Sequence, residues 1–101
     1  MNDINAAVNA FSKASLTSRN SRVFYNYGLL LEQLHRDSEA EKVYKKGLSI
    51  AASDPDLNYV MALFYYKRKR NEEALPYAIK LIQQMPQNPG YQQLYQALQA
   101  N

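Results

Sequence analysis

The chain has 101 residues, 47% of them hydrophobic, a net charge of +3, no cysteine and nine tyrosines. This is enough for one small domain, and it excludes a disulfide framework and a thiolate zinc site. The charge is weak and mixed in sign, unlike that of a nucleic-acid binder, and no apolar run is long enough to span a bilayer.

The N-terminal Met1-Asn2-Asp3-Ile4 has neither the basic segment nor the apolar core of a signal peptide, which leaves the cytoplasm as the default compartment. A first helix is predicted from Asp3 to about Leu16, with Ile4, Val8 and Phe11 on one face. Thr17 to Ser21 is a polar connector. A second helix follows to about Leu34, with Phe24, Tyr27, Leu31 and Leu34 forming an apolar stripe. Gly28 sits in its middle, where glycine costs about 1 kcal/mol relative to alanine. Its presence there points to a neighbouring helix that leaves no room for a side chain.

A third helix, about Ser38 to Ala51, presents Ala40, Val43, Tyr44, Gly47 and Leu48 on one face, with Asp37 as its expected cap. Asp54 can cap a fourth helix, about Asp56 to Arg68, with Pro55 at its first position. That helix is apolar nearly all round, as expected of a helix packed on more than one side. Asn71 is the expected cap of a fifth helix. Pro76 lies too near the start of that helix to break it. Pro86 to Gly90 ends it, and a sixth helix runs from about Gly90 to Gln99. Tyr91, Leu94, Tyr95 and Leu98 form its apolar face, opposite Gln92, Gln93, Gln96 and Gln99. A polar outer face suits the last unit of a stacked array.

The pattern repeats at an offset of 34 residues. Tyr25 matches Tyr59, Leu29 matches Leu63, Arg36 matches Arg70, Glu39 matches Glu73, Ala40 matches Ala74 and Lys46 matches Lys80. Two helices per 34-residue unit, with Tyr27-Gly28, Leu31, Ala40, Tyr44 and Gly47 in one copy and Met61-Ala62, Tyr65, Ala74, Leu81 and Pro86 in the next, resemble the tetratricopeptide repeat. There are departures. Phe24 and Asn58 replace an early large aromatic, and Ala78 with Leu81 inverts the usual order of an aromatic and then a small residue.

The resemblance implies an all-α fold. It would be an α-solenoid of antiparallel helix pairs with six helices, wound as a short right-handed superhelix. Residues 1–101 are then one domain: a half repeat over 1–19, full repeats over 21–54 and 55–88, and a C-terminal capping helix over 89–101.

No constellation for catalysis is present, and no cofactor is expected. His35 is the only histidine and has no metal-ligand partners at suitable spacing. Glu72-Glu73 and Glu39 with Glu41 fall in first turns of helices, where carboxylates belong electrostatically. The basic run Lys67 to Arg70 suits either an anionic partner or the C-terminus of the fourth helix; the second is favoured.

In the family resembled, the first helix of each pair lines a concave groove that binds peptides. Carried over, the groove positions are Arg22, Tyr25, Leu29, Glu32 and Gln33, then Asp56, Tyr59, Leu63, Tyr66 and Lys67, with Gln93 and Ala97 from the last helix. Tyr25 and Tyr59 would stack as one row and Leu29 and Leu63 as another. The bland alternative is that these tyrosines cover helix seams. Asn26 falls where a carboxylate-clamp asparagine would lie, but Asp56 and Val60 occupy the places of the clamp's basic residues.

The function expected is protein–protein interaction through a peptide in the groove, as a scaffold or binding module with no nucleic acid or membrane partner. The alternative is a structural spacer or a self-association segment of a longer protein, acting through the first helix, whose apolar residues lack a preceding partner helix.

Overall fold

The computed structural model describes residues 2–100, with the side chain of residue 2 left out. Six helices account for the elements: α1 (Asn2–Thr17), α2 (Ser21–Gln33), α3 (Asp37–Ile50), α4 (Pro55–Lys67), α5 (Asn71–Gln84) and α6 (Pro89–Gln99). No strand occurs among the described residues. The chain divides into two compact units, Met1–Ala52 and Ser53–Asn101.

In the first unit, α1 and α3 each pack on α2. Phe24, Tyr27, Gly28 and Leu31 of α2 are buried, as are Ala40, Tyr44 and Gly47 of α3. The absence of a side chain at Gly28 is what admits the Tyr44 ring. A Cβ built there would fall within 3.0 Å of three ring carbons of Tyr44. Tyr44 is fully buried, and its hydroxyl donates to Glu32 Oε2 at 2.6 Å.

Helix α1 meets α2 through Phe11, whose ring stacks on Tyr27 with centroids 5.8 Å apart. Lys46 ties α3 to α1, its Nζ donating to the Ser15 carbonyl at 2.8 Å. Val8 is half-buried, whereas Ala6, Asn9, Ala10 and Lys13 are exposed. Those four stand 34 residues before Ala40, Val43, Tyr44 and Gly47, so the face that α3 buries against α2 is small and polar in α1. Ile4 and Leu16 are the large apolar residues that α1 exposes.

In the second unit, α4 packs on α5, and α5 on α6. Leu57, Met61, Phe64 and Tyr65 of α4, Ala74, Ala78 and Leu81 of α5, and Leu94 and Leu98 of α6 make the core. Here the bulk is placed differently. Ala62 and Ala78 stand where the first unit has Gly28 and Tyr44, and Tyr65 stacks on Tyr77, centroids 6.1 Å apart, where the first unit has Leu31 and Val43. This accounts for the inverted order at Ala78 and Leu81. Asn58 is fully buried, its Nδ2 donating to the Asp54 carbonyl at 2.8 Å. Pro76 lies inside α5, which continues past it to Gln84.

Helix starts follow two recipes that alternate along the chain. Asn20, Asp54 and Asn88 cap α2, α4 and α6, each side-chain oxygen accepting a backbone N–H: from Arg22 at 2.9 Å, Leu57 at 2.8 Å and Tyr91 at 3.1 Å. Pro55 and Pro89 follow two of these caps.

The expected caps Asp37 and Asn71 are corrected. Each is the first helical residue, and Arg36 and Arg70 hold the N-cap positions without a side-chain cap hydrogen bond. Each guanidinium instead grips a glutamate three residues on. Arg36 Nε and Nη2 donate to Glu39, both at 2.7 Å, and Arg70 Nε and Nη2 to Glu73 at 2.6 and 2.8 Å. This hydrogen bonding holds the Glu39 carboxyl below its usual range and Arg36 above its own.

The ends of α2 and α4 are also alike. His35 and Lys69 both take φ 60°, the left-handed conformation that closes a helix. The next N–H then reaches back a full turn and more, Arg36 to the Leu31 carbonyl and Arg70 to that of Tyr65, both at 2.9 Å.

Candidate functional site

Packing uses one side of α2 and most of α4, and what remains uncovered sets the candidate surface. On α2, Arg22 is exposed and Tyr25 and Leu29 are half-buried. The Arg22 guanidinium lies over the Tyr25 ring, 5.1 Å from its centroid. Glu32, expected as a ligand-facing carboxylate, is half-buried and accepts the Tyr44 hydroxyl, so it helps to fix the α2–α3 seam. Gln33 is exposed at the last turn.

On α4, Asp56 and Lys67 are exposed at opposite ends, Tyr59 and Leu63 are half-buried, and Tyr66 is 39% exposed. These five recur at three- and four-residue spacing and so share one helix face. The Tyr59 ring leans on that of Tyr91 from α6, with centroids 5.6 Å apart and planes tilted by 43°. Burial raises the Tyr91 hydroxyl above its ordinary pKa, with Asp56 and Tyr59 adding to the shift. The sequence pattern places Tyr91 on the apolar face of the last helix and outside the site, because its approach to Tyr59 joins residues 32 positions apart and leaves no local pattern. Gln93 is exposed and Ala97 half-buried on α6.

Tyr66, Lys67 and Ala97 come together around an open cleft of 620 Å³, which Lys69, Asn71 and Ala100 complete. Arg68 and Arg70, the other half of the basic run, are taken up locally. Arg68 Nη1 donates to the Phe64 carbonyl at 2.8 Å, and its guanidinium covers the Phe64 ring at 3.8 Å from the centroid. Arg70 covers the Tyr65 ring at 4.6 Å besides holding Glu73. Lys67, the last residue of α4, and Arg68, bonded to the Phe64 carbonyl in that last turn, both stand at the helix end that the sequence reading assigned to the run, and Lys67 and Lys69 line the cleft.

Among the described residues no group of three or more His, Cys, Asp or Glu side chains is placed to hold a metal ion, and no helix is long and apolar enough to cross a membrane. Tetratricopeptide repeat models match residues 38–98 and residues 21–54. A search of the curated proteins found no match. The first of these spans runs from α3 into α6 and covers more than half of the chain; the second is the α2–α3 pair with its flanks. Repeats of this kind are generally protein–protein interaction modules and typically non-catalytic. The matched spans, the helix pairs and the recurring caps agree on one assignment: this chain belongs to the tetratricopeptide repeat family.

Proposed function

We propose that this chain is a protein–protein interaction module that binds a peptide segment of its partner, with residues 21–54 and 55–88 as its full repeats, α1 as the preceding half repeat and α6 as the cap. The observation that carries the reading is the α4 face. On a helix otherwise buried, Tyr59, Leu63 and Tyr66 remain accessible to different degrees, and Asp56 and Lys67 stand exposed at the two ends. From Asp56 to Lys67 the face is roughly 16 Å long at about 1.5 Å per residue. That length matches about five residues of extended peptide. Tyrosines give large contact area at low entropy cost, and the two end charges select a partly hydrophobic peptide of mixed charge. On α2, Arg22, Tyr25 and Leu29 offer a smaller surface of the same kind, while Gln93 on α6 adds an exposed amide.

A displayed peptide library selected on the full chain supplies the probe. Tyr59→Ala should leave helical content unchanged and weaken a selected peptide by about 2 kcal/mol, as an anchor residue would. A Tyr59→Ala variant that unfolds, with binding tracking the folded fraction, would make Tyr59 a packing residue and defeat the reading. Exposed Ile4 and Leu16 favour a second reading, self-association through α1. Light scattering of the chain and of an Ile4→Ser/Leu16→Ser variant tests it; a strict monomer at high concentration rejects it.

A further inference from the structure

Lys67-Arg68-Lys69-Arg70 are consecutive, yet the fold sorts them. Arg68 turns onto Phe64 and Arg70 onto Tyr65 and Glu73. Lys67 and Lys69 line the 620 Å³ cleft where α4 ends, α5 begins and α6 ends. A volume of that order is typical of pockets that take a small ligand or a side chain. Its described lining holds no carboxylate, while Glu72 and Glu73 line a neighbouring recess that Lys69 and Asn71 share.

Three further features bear on what fits there. Lys69 sits at φ 60°, a conformation that glycine adopts without strain, so a long cationic side chain is held at a backbone position that does not favour it. Asn71, the first residue of α5, forms part of the wall, and its Nδ2 approaches the Leu98 carbonyl at 3.5 Å, which links the start of α5 to the last turn of α6. Tyr66, 39% exposed as a residue, supplies an aromatic wall with a hydroxyl at its tip.

We propose that this cleft is an acidic-residue subsite, which seats a carboxylate or phosphate group of a bound peptide between Lys67 and Lys69, with the neighbouring part of that peptide against Tyr66. It rests on the reading of α4 as the peptide-binding face, and it gives that peptide a polarity, with an acidic residue at the Lys67 end. The subsite lies apart from the groove positions held by Asp56 and Val60, which carry no cation. Its two lysines come from the last turn of one helix and the following turn, and not from successive helices. The charge match is electrostatic and mostly exposed, so binding should weaken as salt rises.

The probe is a fluorescein-labelled peptide with two adjacent glutamates beside a phenylalanine and a leucine. Its glutamine and phosphoserine counterparts are titrated with it against the full chain by anisotropy at low salt. The glutamate peptide is expected to bind at least tenfold tighter than the glutamine one. Lys67→Glu/Lys69→Glu should abolish that preference with unchanged circular dichroism. Lys13→Glu/Arg19→Glu, which changes net charge equally in exposed residues of the first unit, should keep it. Amide shifts on titration should concentrate at Lys67, Lys69, Asn71 and Ala97. Tighter binding of the phosphoserine peptide would name phosphate as the source of the anion, and equal or weaker binding carboxylate.

The subsite is overturned if no peptide saturates, if the glutamate and glutamine peptides bind equally, if the Lys13/Arg19 variant loses the preference as fully, or if a single-stranded oligonucleotide binds through these lysines while the peptides do not. Weakening of all three peptides by Tyr59→Ala with no glutamate preference leaves the α4 surface standing and removes the subsite. A glutamate preference that Tyr59→Ala leaves untouched keeps the subsite and removes the α4 surface.

Discussion

Gly28→Ala should destabilise the protein although alanine is the better helix former. In an exposed helix interior the exchange would gain about 1 kcal/mol. Here the added Cβ lands within 3.0 Å of Cε1, Cδ1 and Cζ of Tyr44. The ring cannot swing aside cheaply, because Tyr44 is fully buried and its hydroxyl is held by Glu32 at 2.6 Å. Overpacking of a close-packed seam costs about 1–3 kcal/mol, and the observed loss should be that figure less the propensity gain. A cycle with Tyr44→Ala isolates the contact. Tyr44→Ala alone should cost about 3–5 kcal/mol by analogy with other large-to-small core changes. In that background Gly28→Ala should become neutral or stabilising, since it recreates the Ala62 and Ala78 pair of the second unit. The coupling should lie between about 0.5 and 3 kcal/mol. Urea denaturation followed by circular dichroism measures all four corners of the cycle. A Gly28→Ala variant more stable than the parent in the presence of Tyr44 would refute the close contact.

Ala74→Leu, at a position with no exposed surface, should lower stability by roughly 1–3 kcal/mol in the same assay, and an unchanged midpoint would mean that α5 does not pack through it. His35→Gly should raise stability by about 1 kcal/mol, because it relieves a left-handed non-glycine residue at the end of α2. A thermal midpoint that falls would show that the imidazole contributes more than the backbone relief. The Glu39 carboxyl titrates below its ordinary value of 4.5 in the folded chain, so the unfolded chain binds more protons around that pH. Its contribution is therefore complete above about pH 4.5 and is lost as pH falls through the lower folded value. Glu39→Gln should lessen the loss of stability on acidification, and the effect should shrink with added salt because the pair is exposed.

The apolar stripes were enough to locate the six helices, since helical periodicity is a local signal, and the 34-residue offset grouped four of them into two pairs. Asp54 was legible as a cap because Pro55 marks the next position as the start of a helix. Asp37 and Asn71 misled because they are good capping types one place too late. The true signal was the Arg-x-x-Glu spacing at Arg36 and Glu39, repeated at Arg70 and Glu73, which reads as charge pairing only once the helix start is known. Within the site, partial exposure at Tyr25, Tyr59 and Tyr66 follows from helical phase. The engagement of Glu32 by Tyr44 and the meeting of Tyr59 with Tyr91 do not. Both depend on the separation of packed helices, which a residue pattern does not encode. Of the basic run, Lys67 alone was expected in the groove; that Lys69 joins it at the cleft, beyond the end of α4 at a positive φ, had no signal in the residue pattern.

The different placement of aromatic bulk in the two helix pairs has a consequence for folding fidelity. Two similar helix pairs in one chain invite exchange of partners, with α2 meeting α5 or α4 meeting α3. In the first mismatch Gly28 would face Ala78 and leave a hole where Tyr44 belongs. In the second the Cβ of Ala62 would strike the Tyr44 ring, and Tyr66 would stand where Glu32 receives the Tyr44 hydroxyl. Each crossed pairing is thus either hollow or overfilled, whereas both native pairings fit. The aromatic positions act as a key and lock that tells each helix which neighbour is its own, so repeats of one architecture in one polypeptide remain distinguishable while the chain is still choosing its contacts.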